Sequence, residues 1–232
     1  MALPIQAAPK YKTVLPVSKK TVEYRPFLVK EQKILLIAQE TEDQEQIVSS
    51  VKNLLLSVTE GEVDPNNLTA VDMEWLFLKV RAVSIGESSK ISVKCGHCDF
   101  STPVELDLND VVVEGEVPED NRIMLSDIVG VKVSLPTMTV LEKVSSLPQS
   151  EQLFGLLKSS IEMIFDQENV YYVSEIEPED LDDFIDSLTF QQLSNLGEYF
   201  DNAPRLVIDV SFQCGDCGKQ NTKELQGLQN FF

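Results

Sequence analysis

The chain has 232 residues, of which 43% are hydrophobic and 25% are charged. This composition is typical of a soluble globular protein, and the length is sufficient for one or two domains. The 38 acidic residues outnumber the 19 basic residues, so the formal net charge is −19. Such a charge argues against nucleic acid or an anionic membrane as the main partner, because both bind basic surfaces.

The sequence also limits where the protein works and what chemistry it performs. No apolar run approaches the roughly 20 residues that cross a bilayer, and the first twelve residues lack the apolar block of a signal peptide. We therefore expect a protein that is made and used in a cytoplasm. The single histidine, His97, excludes reactions that need two imidazoles, and phosphate-loop, G-x-S-x-G and H-E-x-x-H motifs are absent. We therefore expect no enzymatic activity.

The amino-terminal part of the chain predicts a basic arm, a strand and three helices. Residues 1–20 hold four lysines and no acid, which is typical of an extended, mobile arm. Residues 21–28 resemble an edge strand, and residues 30–39 and 43–58 show helical spacing of apolar side chains. Residues 68–83 predict a third helix, whose apolar positions cover more than one face, as expected in the middle of a core.

Residues 99–202 carry the whole charge imbalance of the chain. They contain 23 acidic and four basic residues, whereas the segments on either side are neutral. The predicted strands lie at residues 131–135 and 170–173, and the predicted helices lie at residues 138–146, 151–166, 178–188 and 189–200. Thr189 and Gln192 form a capping-box pattern at the start of the last helix. The excess of acid indicates either a solvated face that keeps the protein soluble or a docking face for a basic partner.

All four cysteines lie in two C-x-x-C motifs, Cys95 with Cys98 and Cys214 with Cys217. Each motif follows a strand-like run, has glycine directly after its first cysteine and leads through a polar turn into another strand-like stretch, at residues 104–108 in the first case. Two such knuckles supply four thiolates, the ligand set that structural zinc prefers. We therefore predict one structural Zn²⁺ bound by these four cysteines.

Redox motifs and disulfides fit the cysteine pattern less well. Thioredoxin-like redox motifs need a helix directly after the motif, and neither motif precedes a helical pattern. Disulfides are disfavoured in a cytoplasm. Four cysteines already complete a closed zinc site, so His97 is not needed as a ligand and is expected to face the solvent.

These patterns predict an α+β fold. It comprises a mainly helical body, two β-hairpin zinc knuckles that form a ribbon-like four-cysteine site, and an acidic, largely helical insertion between the knuckles. Because 115 residues separate Cys98 from Cys214, the metal would close a long loop. The predicted domains are a basic flexible arm (1–20), a helical and zinc-knuckle core (21–109 with 203–232) and an acidic, mostly helical insertion (110–202).

Two features are candidates for partner binding. The terminal Phe231 and Phe232 form a large apolar group that can anchor in a groove of a partner or pack into the core of this protein. The second candidate is the set of acidic residues in and next to the helix predicted over 178–188, which comprises Glu177, Glu179, Asp180, Asp182 and Asp183.

Several segments form an ordered pattern along the chain: residues 24–36 (YRPFLVKEQKILL), residues 72–82 (DMEWLFLKVRA), both cysteine motifs and residues 227–232 (GLQNFF). Together they resemble the T4-type phage baseplate hub assembly protein family. The resemblance extends from about residue 20 to the end and is weakest over residues 110–170. It implies a protein of a contractile-tailed phage that helps to build the central hub of the baseplate, and it supplies no catalytic residues.

The resemblance implies a non-enzymatic assembly factor that chaperones other baseplate hub proteins or the tape-measure protein. One alternative is a permanent structural subunit of the hub in the virion. A second, a zinc-ribbon nucleic-acid-binding module, comes from the cysteines alone and is opposed by the scarcity of basic residues around the knuckles. The expected location is the cytoplasm of the infected bacterium, or the virion if the protein is a hub subunit. The oligomeric state is left open by the sequence.

Overall fold

The computed structural model describes residues 8–40, 43–118 and 120–227. The chain divides into two compact units, one formed by Met1–Glu114 with Arg205–Phe232 (unit 1) and the other by Gly115–Pro204 (unit 2). Within the described residues, the fold combines seven α-helices with small antiparallel sheets, and each unit has a hydrophobic core of its own. None of the helices in these ranges combines the length and the hydropathy that a membrane span requires.

The strands and helices follow one another in short groups, and two of the hairpins resemble each other. In chain order, the strands are β1 (Tyr11–Val14), β2 (Thr21–Tyr24), β3 (Ser88–Lys94), β4 (Ser101–Asp107), β5 (Val112–Glu114), β6 (Arg122–Met124), β7 (Gly130–Val133), β8 (Ile161–Phe165), β9 (Val170–Tyr172), β10 (Arg205–Gln213) and β11 (Gln220–Gln226). The helices are α1 (Val29–Glu40), α2 (Gln44–Val58), α3 (Ala70–Ser84), α4 (Met138–Ser145), α5 (Gln149–Ser160), α6 (Pro178–Asp186) and α7 (Phe190–Asp201).

Helix α3 is the central element of unit 1. Thr69 caps its amino terminus by accepting a hydrogen bond from the backbone amide of Asp72, as the sequence pattern favours. Val71 and Leu78 contribute to a core that also contains apolar side chains from β3, β4 and β10. Phe77, on the same helix, is also buried. The apolar pattern over residues 68–83 therefore predicts the helix and its central position correctly.

Three sheets in unit 1 are antiparallel. β1 pairs with β2, β3 pairs with β4, and β10 lies between β11 and β5. The β3–β4 and β10–β11 hairpins both bury alternate side chains in the core that contains α3. Their connecting turns hold the two cysteine motifs, so the packing of both hairpins on one helix determines where those motifs lie.

Residues 11–14, which the sequence places in a mobile arm, instead form strand β1. The reason is that the loop between β1 and β2 is tied to the body of unit 1. Leu15 is fully buried, and the buried carboxylate of Asp72 accepts hydrogen bonds from the backbone amides of Val17 at 2.8 Å and Ser18 at 3.0 Å. A lysine-rich composition does not reveal these contacts, because they depend on a residue more than 50 positions away.

Unit 2 is mixed rather than largely helical. Its strands form one antiparallel sheet in the order β6-β7-β8-β9, and α4 to α7 complete the unit. The sequence predicts a helix over residues 151–166, but α5 ends at Ser160 and β8 begins at Ile161. Ile161 and Ile164 reach the core from β8, which pairs with β7 and with β9. Short apolar runs fit either a helix or a strand, so tertiary pairing decides between them.

Two further features predicted for unit 2 are confirmed. Helices α6 and α7 lie at the predicted positions, and the capping box is formed. The backbone amide of Thr189 donates to Gln192 Oε1 at 2.8 Å, and the backbone amide of Gln192 donates to Thr189 Oγ1 at 3.4 Å. These reciprocal bonds satisfy two amides at the helix start that have no partner within the helix.

Candidate metal centre

The two cysteine motifs occupy equivalent turns at the ends of two hairpins. In the β3–β4 hairpin, the backbone amide of Cys95 donates to the carbonyl oxygen of Phe100 at 2.8 Å. In the β10–β11 hairpin, the amide of Cys214 donates to the carbonyl oxygen of Lys219 at 2.9 Å. The same hydrogen bond thus closes both turns. The residue directly after the second cysteine of each motif has positive φ, at 62° for Asp99 and 69° for Gly218.

The two turns bring all four sulfurs together. The four Sγ atoms lie within 4.8 Å of one another, with Cys95 3.8 Å from Cys217 and Cys98 3.5 Å from Cys214. Each of these two short distances joins one hairpin to the other. Among the described residues, this is the one group of three or more potential ligands that could hold a metal ion. The predicted association of the two motifs across 115 residues is therefore observed.

The distances fit a tetrahedral metal better than a disulfide. A disulfide requires a sulfur–sulfur distance of about 2.05 Å, well below the distances in either cross-hairpin pair. Tetrahedral zinc with Zn–S bonds of about 2.3 Å places its sulfurs about 3.8 Å apart. The observed distances of 3.5 and 3.8 Å are close to this value. The residues present therefore match the ligand type, number and spacing of a structural zinc site.

Hydrogen bonds between the hairpins support the cluster. Asn221 Oδ1 accepts from the backbone amide of Gly96 at 3.0 Å and from Cys95 Sγ at 3.4 Å. Thr102 Oγ1 accepts from the backbone amide of Gly215 at 3.2 Å. Each hairpin thus supplies a side chain that fixes the knuckle of the other hairpin. Neither residue is among the sequence-predicted site residues, although each lies four positions after the second cysteine of its motif.

Backbone amides favour the thiolate form at part of the cluster. Hydrogen bonds from the amides of Cys217 and Asp216 lower the pKa of the Cys214 thiol to about 6, although burial opposes this change. The pKa of Cys98 changes in the opposite direction, to about 12. The Phe100 amide lowers it, but the neighbouring sulfurs, with Cys217 first, and burial raise it more. Four adjacent thiolates need more positive charge than these amides supply, and a divalent cation provides that charge.

His97 is separate from the ligand group. Its side chain does not belong to the group of possible ligands, and the residue is exposed. Its contribution is its backbone amide, which donates to Cys95 Sγ at 3.3 Å. Backbone donors to a cysteine sulfur favour the thiolate, which is the form that binds metal.

The remaining candidate residues do not belong to this centre. Phe231 and Phe232 lie outside the described residues. The five acidic candidates, Glu177, Glu179, Asp180, Asp182 and Asp183, are exposed residues of α6 or its cap in unit 2. Asp182 forms an ion pair with Lys158 at 2.5 Å, whereas Glu177 and Asp180 line a cavity. The structure thus separates this acidic set into residues with different surroundings.

Comparison with known proteins shows that the chain is similar to phage baseplate proteins. A family model described as T4 bacteriophage base plate protein matches residues 8–232. The chain is also similar to the baseplate hub assembly protein gp26 of Enterobacteria phage T4. The identity is 25% over 224 residues, which cover 96% of this chain and 98% of that protein. No solved structure matches the chain significantly. The matched residues therefore span both units of the chain.

Proposed function

Since the chain belongs to the T4 bacteriophage base plate protein family, we propose that it helps to build the central hub of the baseplate of a contractile phage tail. The observation that carries this proposal is the extent of the similarity to a baseplate hub assembly protein, which covers nearly the full length of both chains. A match of this extent includes both units rather than one shared module. The proposed role is non-enzymatic.

We further propose that the protein acts as an assembly chaperone. Its clients are other hub proteins or the tape-measure protein, which exposes apolar helical surface before the tail tube encloses it. A chaperone for such clients needs high solubility and a surface that binds apolar segments. Unit 2 has 18 acidic and four basic residues, which favours solubility. The protein then works in the cytoplasm of the infected bacterium.

Two measurements on infected cells test the chaperone role. Quantitative mass spectrometry of purified virions measures the copy number of this protein relative to hub proteins of known stoichiometry. An affinity pull-down from lysate of infected cells identifies the bound tail proteins. We expect the protein to be missing from virions and to recover a hub or tape-measure protein. A fixed copy number in virions instead identifies a permanent hub subunit, and failure to recover any tail protein argues against both roles.

We also propose that the four cysteines bind one structural Zn²⁺. Support comes from the donor set, the cross-hairpin distances and the hydrogen bonds from Asn221 and Thr102. Four thiolates fill a tetrahedral site, which leaves no open position for a substrate. When bound, the ion links two hairpins that are far apart in the sequence. The chain's own residues orient the sulfurs, and backbone amides favour the ionised form of Cys214.

A further inference from the structure

Unit 2 contains a cavity of about 530 Å³ between the end of the β8–β9 pair and helix α6. Its interior is formed largely by apolar side chains, among them Ile164, Ile176 and Phe184. Ile164 belongs to the core of unit 2, and the other two pack partly buried against that core. The apolar part of the cavity wall therefore belongs to the core of unit 2 or packs against it. Recesses of this size with apolar walls are typical binding sites.

The charged side chains that line this cavity are all acidic. Its charged lining residues in the described part of the chain are Asp166, Glu175, Glu177 and Asp180. The amides of Glu168 and Asn169 donate to Asp166 and lower its pKa, so this carboxylate is ionised at neutral pH. These carboxylates do not form a metal-binding group, because among the described residues only the four cysteines have suitable spacing. Their charge is therefore available to a positively charged partner.

Strand β9 supplies an exposed aromatic side chain at the cavity. Tyr171 lines the cavity and is 46% exposed, whereas its neighbour Tyr172 is 51% exposed and does not line it. Among the described strands, β9 pairs only with β8 and is an edge strand of its sheet. Aromatic side chains at the mouth of a pocket are frequent anchors in protein interfaces. The two adjacent tyrosines thus offer an internal comparison between a residue at the cavity and one outside it.

We propose that this cavity binds a basic segment of a partner protein. The segment inserts an apolar side chain between Tyr171 and Phe184 and places flanking lysine or arginine side chains against Glu175, Glu177 and Asp180. Charge complementarity favours this partner, since all four charged side chains that line the cavity are acidic and unit 2 carries 18 acidic and four basic residues. The inference rests on the proposed function for the identity of the partner as a phage tail protein, and it specifies the chemistry of the contact.

Peptide binding to the purified full-length protein tests the proposal. The probe is a fluorescein-labelled heptapeptide, KLKKFLK, and its charge-reversed control is ELEEFLE. Fluorescence anisotropy should detect binding of the first peptide, weaker at high salt because screening reduces the attraction of exposed charges. Binding of KLKKFLK that is no tighter than binding of ELEEFLE overturns the proposal.

Two pairs of variants locate the binding site. Tyr171→Ala should weaken KLKKFLK binding by about tenfold or more, as expected for an aromatic anchor, whereas Tyr172→Ala should not. The triple variant Glu175→Gln, Glu177→Gln and Asp180→Asn should weaken binding more than its control, Glu168→Gln, Glu179→Gln and Asp183→Asn. Both triples remove three negative charges from exposed positions of unit 2. If the two variants of either pair weaken peptide binding equally, the attraction is non-specific and the proposal is overturned.

The remaining outcomes separate this proposal from the proposed function. Self-association that Tyr171→Ala abolishes, measured by analytical ultracentrifugation, assigns the cavity to a second copy of the chain and overturns the proposal. If the protein captures a hub or tape-measure protein equally well with and without Tyr171→Ala, the cavity is not the docking site, although the assembly role stands. If the cavity binds KLKKFLK as expected but the protein never captures a tail protein, the proposed assembly role fails. The cavity then remains a binding site for basic segments.

Discussion

Asn221 and Thr102 hold corresponding positions in the two cysteine hairpins, and each accepts a hydrogen bond from the knuckle of the other hairpin. The amide of Gly96 lies 3.0 Å from Asn221 Oδ1, and the amide of Gly215 lies 3.2 Å from Thr102 Oγ1. Polar contacts therefore join the two hairpins next to the group of four cysteines. Asn221 is buried, with 7% of its surface exposed, and Thr102 is less deeply buried.

This difference predicts unequal effects of substitution. Asn221→Ala leaves the amide of Gly96, which is adjacent to Cys95 in the knuckle, without its acceptor. Because side chains that orient metal ligands typically contribute about 10- to 100-fold in affinity, we expect a loss of zinc affinity in that range. Thr102→Ala should have a smaller effect. Competition with a chromophoric chelator measures the affinity, and circular dichroism checks that both variants fold. Equal affinities for wild type and Asn221→Ala would show that Asn221 does not support the site.

The zinc proposal predicts the metal content and its link to stability. Protein purified without chelator should contain about one zinc per chain, and Cys95→Ser with Cys214→Ser should abolish it. The melting temperature of the wild type should fall on addition of EDTA, because binding energy at a structural site contributes to folding. His97→Ala is the control, since this side chain is not in the ligand group. Elemental analysis and thermal unfolding measure both quantities. A metal-free wild type with an unchanged melting temperature contradicts the proposal.

A buried ion pair in unit 1 predicts a specific pH dependence. Burial would raise the pKa of Glu31, but hydrogen bonds from Arg25, from the Leu28 amide and from Ser57 outweigh it and lower the pKa to about 2. Because the pKa of Glu31 is lower in the folded state, its ionised carboxylate stabilises the protein at pH values above the ordinary carboxyl pKa near 4.5. This contribution is lost as the pH falls from about 4.5 towards 2. It corresponds to about 3 kcal/mol at neutral pH.

The difference in the free energy of unfolding between Glu31→Gln and the wild type tests this prediction. The variant should be less stable than the wild type at pH 7, and the gap in the free energy of unfolding should shrink as the pH falls below 4.5. Urea unfolding at several pH values measures the gap, and subtraction removes the effect of the many other carboxylates. A gap that is independent of pH contradicts the assigned role of the Arg25–Glu31 pair.

Packing around Gly130 predicts that a side chain at this position destabilises unit 2. Gly130 in β7 faces Phe165 in β8, and an added Cβ would lie 2.7 Å from Cε2 of that ring and 2.9 Å from the sulfur of Met124. We expect Gly130→Ala to destabilise the protein by about 1–3 kcal/mol, as is typical of overpacking. Gly197→Ala is the control, because an added Cβ in α7 would meet no atom within 4 Å. It should be neutral or stabilising by up to about 1 kcal/mol. Thermal unfolding compares the two variants.

The sequence predicts the helices more reliably than the strands. Helices α1, α2, α3, α6 and α7 lie where apolar spacing and capping residues place them. Strands β1 and β8 are missed, since each depends on partners that local patterns do not contain. β1 is held by the contacts of Leu15 and Asp72, and β8 by pairing on both of its edges. Local periodicity identifies a buried face but not the element that will cover it.

The cysteine cluster shows both what sequence analysis finds and what it misses. The grouping of the four thiols was predictable because two C-x-x-C motifs in one chain are typical of a four-cysteine metal site. Asn221 and Thr102 were not predictable, because polar residues in hairpins are common and their roles depend on contacts across more than 100 residues. Aligning the two motifs could have identified them, since both lie four positions after the second cysteine.

By itself, the sequence determined the family, the excess of acid between the two motifs and the four cysteines as candidate metal ligands. These properties reside in composition and in short spacings, which do not change on folding. Only the tertiary structure decided that the four sulfurs come within 4.8 Å, that residues 161–165 are a strand, and that an apolar cavity in unit 2 has carboxylates at its rim. Each of these depends on which distant segments pack together, because a contact between remote residues forms only when the shared core of the unit brings them to one place.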